Sequence, residues 1–172
     1  MKKFAIIIPV LFLFACGPAS RENQQKNISD IEKKIHNEKF SEKLAEEFLT
    51  ATTNYIVSFP KDSMAPVYLF KQADMYLSIN KPKDAVSALK KLQDEFPAHR
   101  LVGDALLQQA IINDNMLQNK TEAKLLYNKF LTKFPNHKNA AVAHQALQLI
   151  DLNPEDLVRK FEAGQDSASN KK

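Results

Sequence analysis

The sequence predicts an all-α chain of stacked helix-turn-helix units, a short α-solenoid. Three observations carry that expectation. The dipeptide Phe-Pro recurs as Phe59-Pro60, Phe96-Pro97 and Phe134-Pro135, at spacings of 37 and 38 residues. A fixed period in this range marks stacked supersecondary units. Counting back from the second and third prolines, Ala85 and Ala123 stand twelve residues earlier, Leu89 and Tyr127 eight, and Leu92 and Phe130 five. Those offsets fall on one face of a helix. Finally, the 172 residues include only three glycines and one cysteine, against eight prolines. That scarcity removes the raw material for Gly-rich phosphate loops, Rossmann turns, turn-dense β architectures, disulfide frameworks and multi-cysteine metal sites.

Each element has its own justification. Ile28, Ile31 and Ile35 make a short N-terminal helix, preceded by a polar stretch over residues 16–27 that reads as a flexible tether. Three apolar positions are too few for a coiled coil. A break at residues 37–40 leads to Ser41, a suitable N-cap for a helix over 42–58. Residues 66–79 form the next helix, with Leu69, Ala73, Tyr76 and Leu77 along one side. Asn80-Lys81-Pro82-Lys83 breaks it, and Pro82 and Asp84 suit the start of the following helix, which runs to residue 95. The next unit repeats the plan as 101–117, the polar turn Gln118-Asn119-Lys120, and 121–133. A further first helix spans 140–152, and Asn153-Pro154 restarts a last one through Phe161. The helical domain thus covers 28–162, and residues 163–172 read as a disordered tail. Twelve, eight and five residues before Pro60 stand Phe48, Thr52 and Tyr55, and Gln148 takes the place of a small alanine in the last helix. Degenerate end units are expected of a capped solenoid.

Residues 41–152 resemble tetratricopeptide repeats. Ala73, Tyr76, Ala85, Leu89, Leu92 and Pro97 match that family's spacing. Ala110, Ala123, Tyr127, Phe130 and Pro135 match it again, with one residue inserted in the turn. The 37–38 spacing and the Phe-Pro-x-His closure are similar to a variant found in bacterial envelope proteins. Examples are the repeat lipoprotein of the outer-membrane protein assembly complex and the C-terminal domain of the Tol-Pal coordinator. The resemblance implies a right-handed superhelix whose first helices line a concave, partner-binding surface. Carried over by offset from the prolines, that surface comprises Val67, Phe70, Asp74 and Leu77, then Asp104, Leu107, Ile111 and Asp114, then Val142, Gln145 and Leu149. Phe70, Leu107 and Ile111 would form an apolar floor, with Asp74 and Asp114 as polar edges, for an amphipathic helix or an extended peptide. The same side chains also suit packing against the chain's own N-terminal helix or its terminal helix near Leu157 and Phe161, so both arrangements stand open. The groove lacks the Lys/Arg clamp of chaperone-tail binders.

The N-terminus reads as an address. Met1-Lys2-Lys3 is followed by an apolar run over 4–14, shorter than the roughly 20 residues that span a bilayer. Leu13-Phe14-Ala15-Cys16 resembles the lipobox of bacterial lipoproteins, which implies removal of residues 1–15 and acylation of Cys16. Several acyl chains anchor stably where one does not. By resemblance to enterobacterial sorting rules, Gly17, rather than Asp, implies delivery to the outer membrane; residue 17 does not fix the face, and the periplasmic one is the expectation. Loss of Lys2 and Lys3 lowers the formal charge from +4 to +2, which disfavours nucleic acid as a partner.

No constellation of catalytic residues emerges. Cys16 is claimed by the lipobox, and His99 and His137 both follow a repeat-closing proline by two residues. His137 and His144 have no acidic companion at metal-ligand spacing. The expectation is therefore a non-catalytic scaffold or adaptor, anchored through Cys16 in the cell envelope, with an envelope protein or peptide as partner. No cofactor, metal or small-molecule substrate is expected. The resemblance admits two more specific roles, a subunit of the outer-membrane protein assembly machinery or a cell-wall and division coordinator.

Overall fold

The computed structural model describes residues 20–153 together with 155, 156, 158 and 159. Residues 155, 156, 158 and 159 are helical, in the expected last helix, and among the described residues the bounded elements are seven helices and no strand. They are α1 (Arg21–Asn37), α2 (Glu42–Ser58), α3 (Ala65–Ser78), α4 (Pro82–Glu95), α5 (Val102–Asn115), α6 (Lys120–Lys133) and α7 (Ala140–Leu149). Each helix packs on its neighbours in sequence, α1 on α2, α2 on α3 and so on to α7. Short connections between sequence neighbours make them antiparallel, so the chain is an α-solenoid, as expected.

The anticipated offsets become the core. Ala73, Ala85, Ala110 and Ala123 are fully buried, and their small side chains let consecutive helices approach closely. Leu89, Leu92, Tyr127 and Phe130 fill the remaining space. The first unit follows the same geometry with other chemistry, because Phe48, Thr52 and Tyr55 are also buried. The hydroxyl of Thr52 donates to the carbonyl of Phe48 at 2.8 Å and accepts from Nε2 of Gln72 at 2.9 Å. Gln109 occupies the position equivalent to Gln72 one unit later, twelve residues past the proline. Its Oε1 accepts from Nε2 of Gln93 at 2.8 Å. Both buried glutamines thus clip the first helix of a unit to the last helix of the unit before. A buried amide is tolerated because it is paired.

The three Phe-Pro closures are one turn repeated. Phe59, Phe96 and Phe134 cap their helices at φ/ψ of −132/61°, −130/54° and −133/54°. Proline disfavours a helical conformation in the residue before it, which stops each helix there. Three residues on, the backbone N–H of Asp62, His99 or His137 donates to the phenylalanine carbonyl at 2.9–3.0 Å. The side chain of that residue then accepts the N–H two positions later. Met64 donates to Oδ1 of Asp62 at 2.8 Å, Leu101 to Nδ1 of His99 at 3.3 Å, and Asn139 to Nδ1 of His137 at 3.2 Å. The histidines are therefore turn-forming acceptors, and Asp62 is their counterpart in the first turn.

Turns within the hairpins use a different device. Asn80 and Gln118 adopt positive φ, 55° and 52°, without glycine. Lys81 then donates to the carbonyl of Tyr76 at 2.8 Å, and Asn119 to that of Asn113 at 2.8 Å. The left-handed conformation costs an L-residue about 1–2 kcal/mol, least for Asn. It ends α5 at Asn115, two residues before the expected 117.

The N-terminal helix departs furthest from expectation. Residues 21–27, read from sequence as tether, are the first two turns of α1, capped by the Ser20 hydroxyl, which accepts from Asn23 N at 3.3 Å. Apolar periodicity is absent there, but Arg, Glu, Gln and Lys are good helix formers. Tertiary bonds complete the case. Nε of Arg21 meets Oδ2 of Asp62 at 2.6 Å, Gln25 donates to the Tyr55 hydroxyl at 2.8 Å, and that hydroxyl donates to Oδ1 of Asp62 at 2.8 Å. Burial would raise the Asp62 carboxyl, yet the Met64 N–H, the Tyr55 hydroxyl and Arg21 together hold it below the usual range. Ile28 and Ile31 are buried against this base, whereas Ile35 is only half-buried. At the other end α7 closes at Leu149, three residues before the expected 152. Leu157 and Phe161, expected in a terminal helix, lie outside the described residues, as do the signal peptide over 1–15, Cys16 and the tail over 163–172.

Two tests follow from this packing. A Cβ on Gly103, in the first turn of α5, would lie 3.3 Å from Cδ2 of His137 and 3.4 Å from Cγ of Phe134. Gly103→Ala is expected within about 0.5 kcal/mol of the parent, a helix-propensity gain of up to about 1 kcal/mol being offset by that contact. Gly103→Val should cost about 1–3 kcal/mol by overpacking, as read by urea unfolding. The second test uses His99, whose pKa is lowered by burial and then by the adjacent Arg100 charge. The unfolded chain takes up the proton first, so the stabilisation is full above the ordinary value of 6.5 and is lost as pH falls below it. His99→Asn keeps a side-chain acceptor but does not titrate. It should flatten the decline of Tm between about pH 7 and pH 5.

Candidate partner-binding surface

The odd-numbered helices carry the residues singled out from sequence, and the structure divides them. Between α1, α3 and α5 their face is cross-linked. Nζ of Lys71 meets Oε1 of Glu32 at 2.6 Å, and Nε2 of Gln108 donates to Oδ1 of Asp74 at 2.7 Å. Asp74 is thus a brace to the next unit rather than a free edge. Val67, Phe70 and Leu77 are half-buried, the latter two packed on the core formed by α1–α5. A pocket of about 210 Å³ remains here, lined by Glu32, Ile35, Phe48, Lys71, Asp74, Met75 and Ser78. In this half the chain's own α1 fills much of the surface, one of the two arrangements left open by the sequence.

Leu107 corrects the expected apolar floor. It is 4% exposed and belongs to the core shared by α5, α6 and α7. Residues of α6 and α7 close that cluster around α5, so position 107 packs inward. Asp104 is likewise displaced. Its Oδ1 lies 3.5 Å from Nε2 of His137, beside the α6–α7 turn.

Ile111, Asp114 and Gln145 do converge. With Val142 and Leu149 they line an open groove of about 470 Å³ between α5, the start of α6 and α7. Ile111 and Leu149 are half-buried, Val142 is 46% exposed and Gln145 is exposed. Asn115, Lys120, Tyr127, Ala146, Ile150 and Leu152 complete the lining. The offset rule missed Lys120 and Tyr127 because both sit on a second helix, and it considered only first helices. The Tyr127 hydroxyl is pushed up to about 12, by burial first and then by the charge of Asp114 and a hydrogen bond with it. It stays protonated at neutral pH and holds the Asp114 carboxylate at the rim. The result is an apolar trough with Asp114 and Lys120 at its edge. Such a trough accepts an amphipathic helix or an extended segment.

Among the described residues no three His, Cys, Asp or Glu side chains are placed to hold a metal ion, and no helix is long and apolar enough to cross a membrane. His36 and His144 are exposed.

The tetratricopeptide repeat model matches residues 68–99 and again 104–137, the α3–α4 and α5–α6 hairpins with their closing turns. A search of curated proteins gave no match. The α1–α2 hairpin and α7 extend the same packing beyond the matched segments, with Thr52 and Tyr55 in core positions. Residues 68–99 and 104–137 thus match the tetratricopeptide repeat model, within an all-α solenoid of the same kind, an architecture that supports a protein–protein interaction scaffold.

Proposed function

We propose that this protein is a non-catalytic adaptor, anchored through an acylated Cys16 in a bacterial envelope, that captures a segment of another envelope protein. The open groove between α5 and α7 is the observation that supports this reading. The captured segment is an amphipathic helix or strand whose apolar face meets Ile111, Val142 and Leu149, and whose charged flank meets Asp114 and Lys120. The lipobox-like Leu13-Phe14-Ala15-Cys16 supports the anchor, and the more specific roles of assembly-machinery subunit or cell-wall coordinator differ only in the partner.

A photo-crosslinker at Gln145 in native membranes tests the groove. A discrete adduct is expected there and not at Thr50, an exposed residue of α2. Adding Val142→Asp should cut the adduct at least tenfold, because a carboxylate at the centre of an apolar contact is left unpaired, while the far-UV helix signal is retained. An undiminished adduct would place the contact elsewhere. A β-barrel assembly protein in the adduct favours the first specific role, and a peptidoglycan synthase or Tol-Pal component the second. Leu107→Asp should instead unfold the C-terminal repeats, since it buries a charge in the core. For the anchor, Cys16→Ser is expected to move the protein from the membrane to the soluble fraction, and continued sedimentation with membranes would refute acylation.

A further inference from the structure

We propose that the end of the solenoid bearing the three Phe-Pro turns is a membrane-facing surface that rests on anionic lipid headgroups, an orientation that rests on the Cys16 anchor proposed above. The topology gathers these turns at one end. Because the helices alternate in direction, the start of α1 and the α2–α3, α4–α5 and α6–α7 turns all lie on the same side. Arg21 against Asp62 and His137 against Asp104 show this contact by contact. The start of α1 is also where the chain leads back to Cys16. Since the helix begins at Arg21, only five peptide units separate the two residues, at most about 18 Å of chain in any conformation. An anchored Cys16 therefore keeps this end of the molecule close to the bilayer.

The charges at that end suit such a neighbour. Lys61, Arg100 and Lys138 stand one in each turn, all exposed, and none makes an ion pair with another described residue. The nearby carboxylates are already engaged. Asp62 is held by Arg21, Asp94 by Lys90 at 2.7 Å, and Asp104 faces His137. At the opposite end Lys39, Lys81, Lys83 and Lys120 are likewise exposed and outside any ion pair among the described residues. What singles out the turn end is the short lead from Cys16, which holds its row of cations near the bilayer. Cations held near an anionic leaflet are attracted to it, and the attraction fades within a Debye length, a range that the short lead from Cys16 satisfies.

The experiment uses the mature acylated protein in vesicles of phosphatidylethanolamine with phosphatidylglycerol, and in neutral phosphatidylcholine vesicles. A fluorophore is placed at Ser63→Cys in the first turn or at Lys83→Cys at the opposite end, with nitroxide headgroup lipids as quencher. In anionic vesicles the Ser63 probe should be quenched several-fold more than the Lys83 probe. The contrast should shrink to what the tether alone imposes in the variant K61Q/R100Q/K138Q and in neutral vesicles, and should survive in full in the opposite-end control K39Q/K83Q/K120Q. Equal quenching at both sites, or an undiminished contrast in K61Q/R100Q/K138Q, would overturn the proposed face. The mass of the N-terminal peptide reports acylation separately. If Cys16 carries no acyl chain the anchor reading fails, and co-sedimentation with the same anionic vesicles then decides the face alone. A loss of about fivefold per cation removed supports it, and unchanged binding by the triple variant refutes it.

Discussion

The structure depends on one recurring constraint, the turn that follows each Phe-Pro. A proline takes the preceding phenylalanine out of the helical region, and all three phenylalanines settle within a few degrees of one another. An acceptor side chain three residues later then ties down the backbone that starts the next helix. Identical turns impose an identical rotation between successive hairpins, and that repetition is what makes a solenoid rather than a bundle. The acceptor can be Asp62, His99 or His137, since the bond requires only a lone pair near the main-chain N–H.

Between those turns, cohesion comes from two layers of interaction. Small alanines bring the helices close, and large residues from the next helix fill the space. Phe134 packs on both core clusters, so the closing turn of one repeat joins the α1–α5 core to the α5–α7 core. Buried amides at Gln72 and Gln109 add direction to contacts that are otherwise apolar. An unpaired amide at either depth would cost more than its bond returns, so the pairings select one register between neighbouring units.

The same packing decides where a partner has room. Helix α1 is fixed at its base by Arg21, Gln25, Tyr55 and Asp62, and it covers the surface of α3 down to Glu32 and Lys71. At the other end α7 leaves a trough beside α5, edged by an Asp114 whose neighbour Tyr127 remains protonated. One half of the odd-helix face is thus spent on the fold itself, and the other is open.

Much of this was legible in the sequence. The Phe-Pro period and the alanine offsets determined the all-α repeat fold, the hairpin boundaries and most of the core, because helical periodicity and proline geometry act locally. The lipobox, the signal peptide and the tail are expectations from the sequence that fall outside the described residues. What only tertiary structure decided is the fate of residues whose local signal is neutral. The polar run from Arg21 to Asn27 has no apolar face, and it is helical because Tyr55 and Asp62, distant in sequence, bind it. Leu107 and Ile111 are one helical turn apart and equally apolar, yet the packing of α5, α6 and α7 buries the first and leaves the second at the groove. Asp74 and Asp104 look like free carboxylates until Gln108 and His137 are placed beside them. Periodicity tells which face of a helix is apolar. The neighbour that covers it is set by how successive units stack, and that is a property of the whole chain.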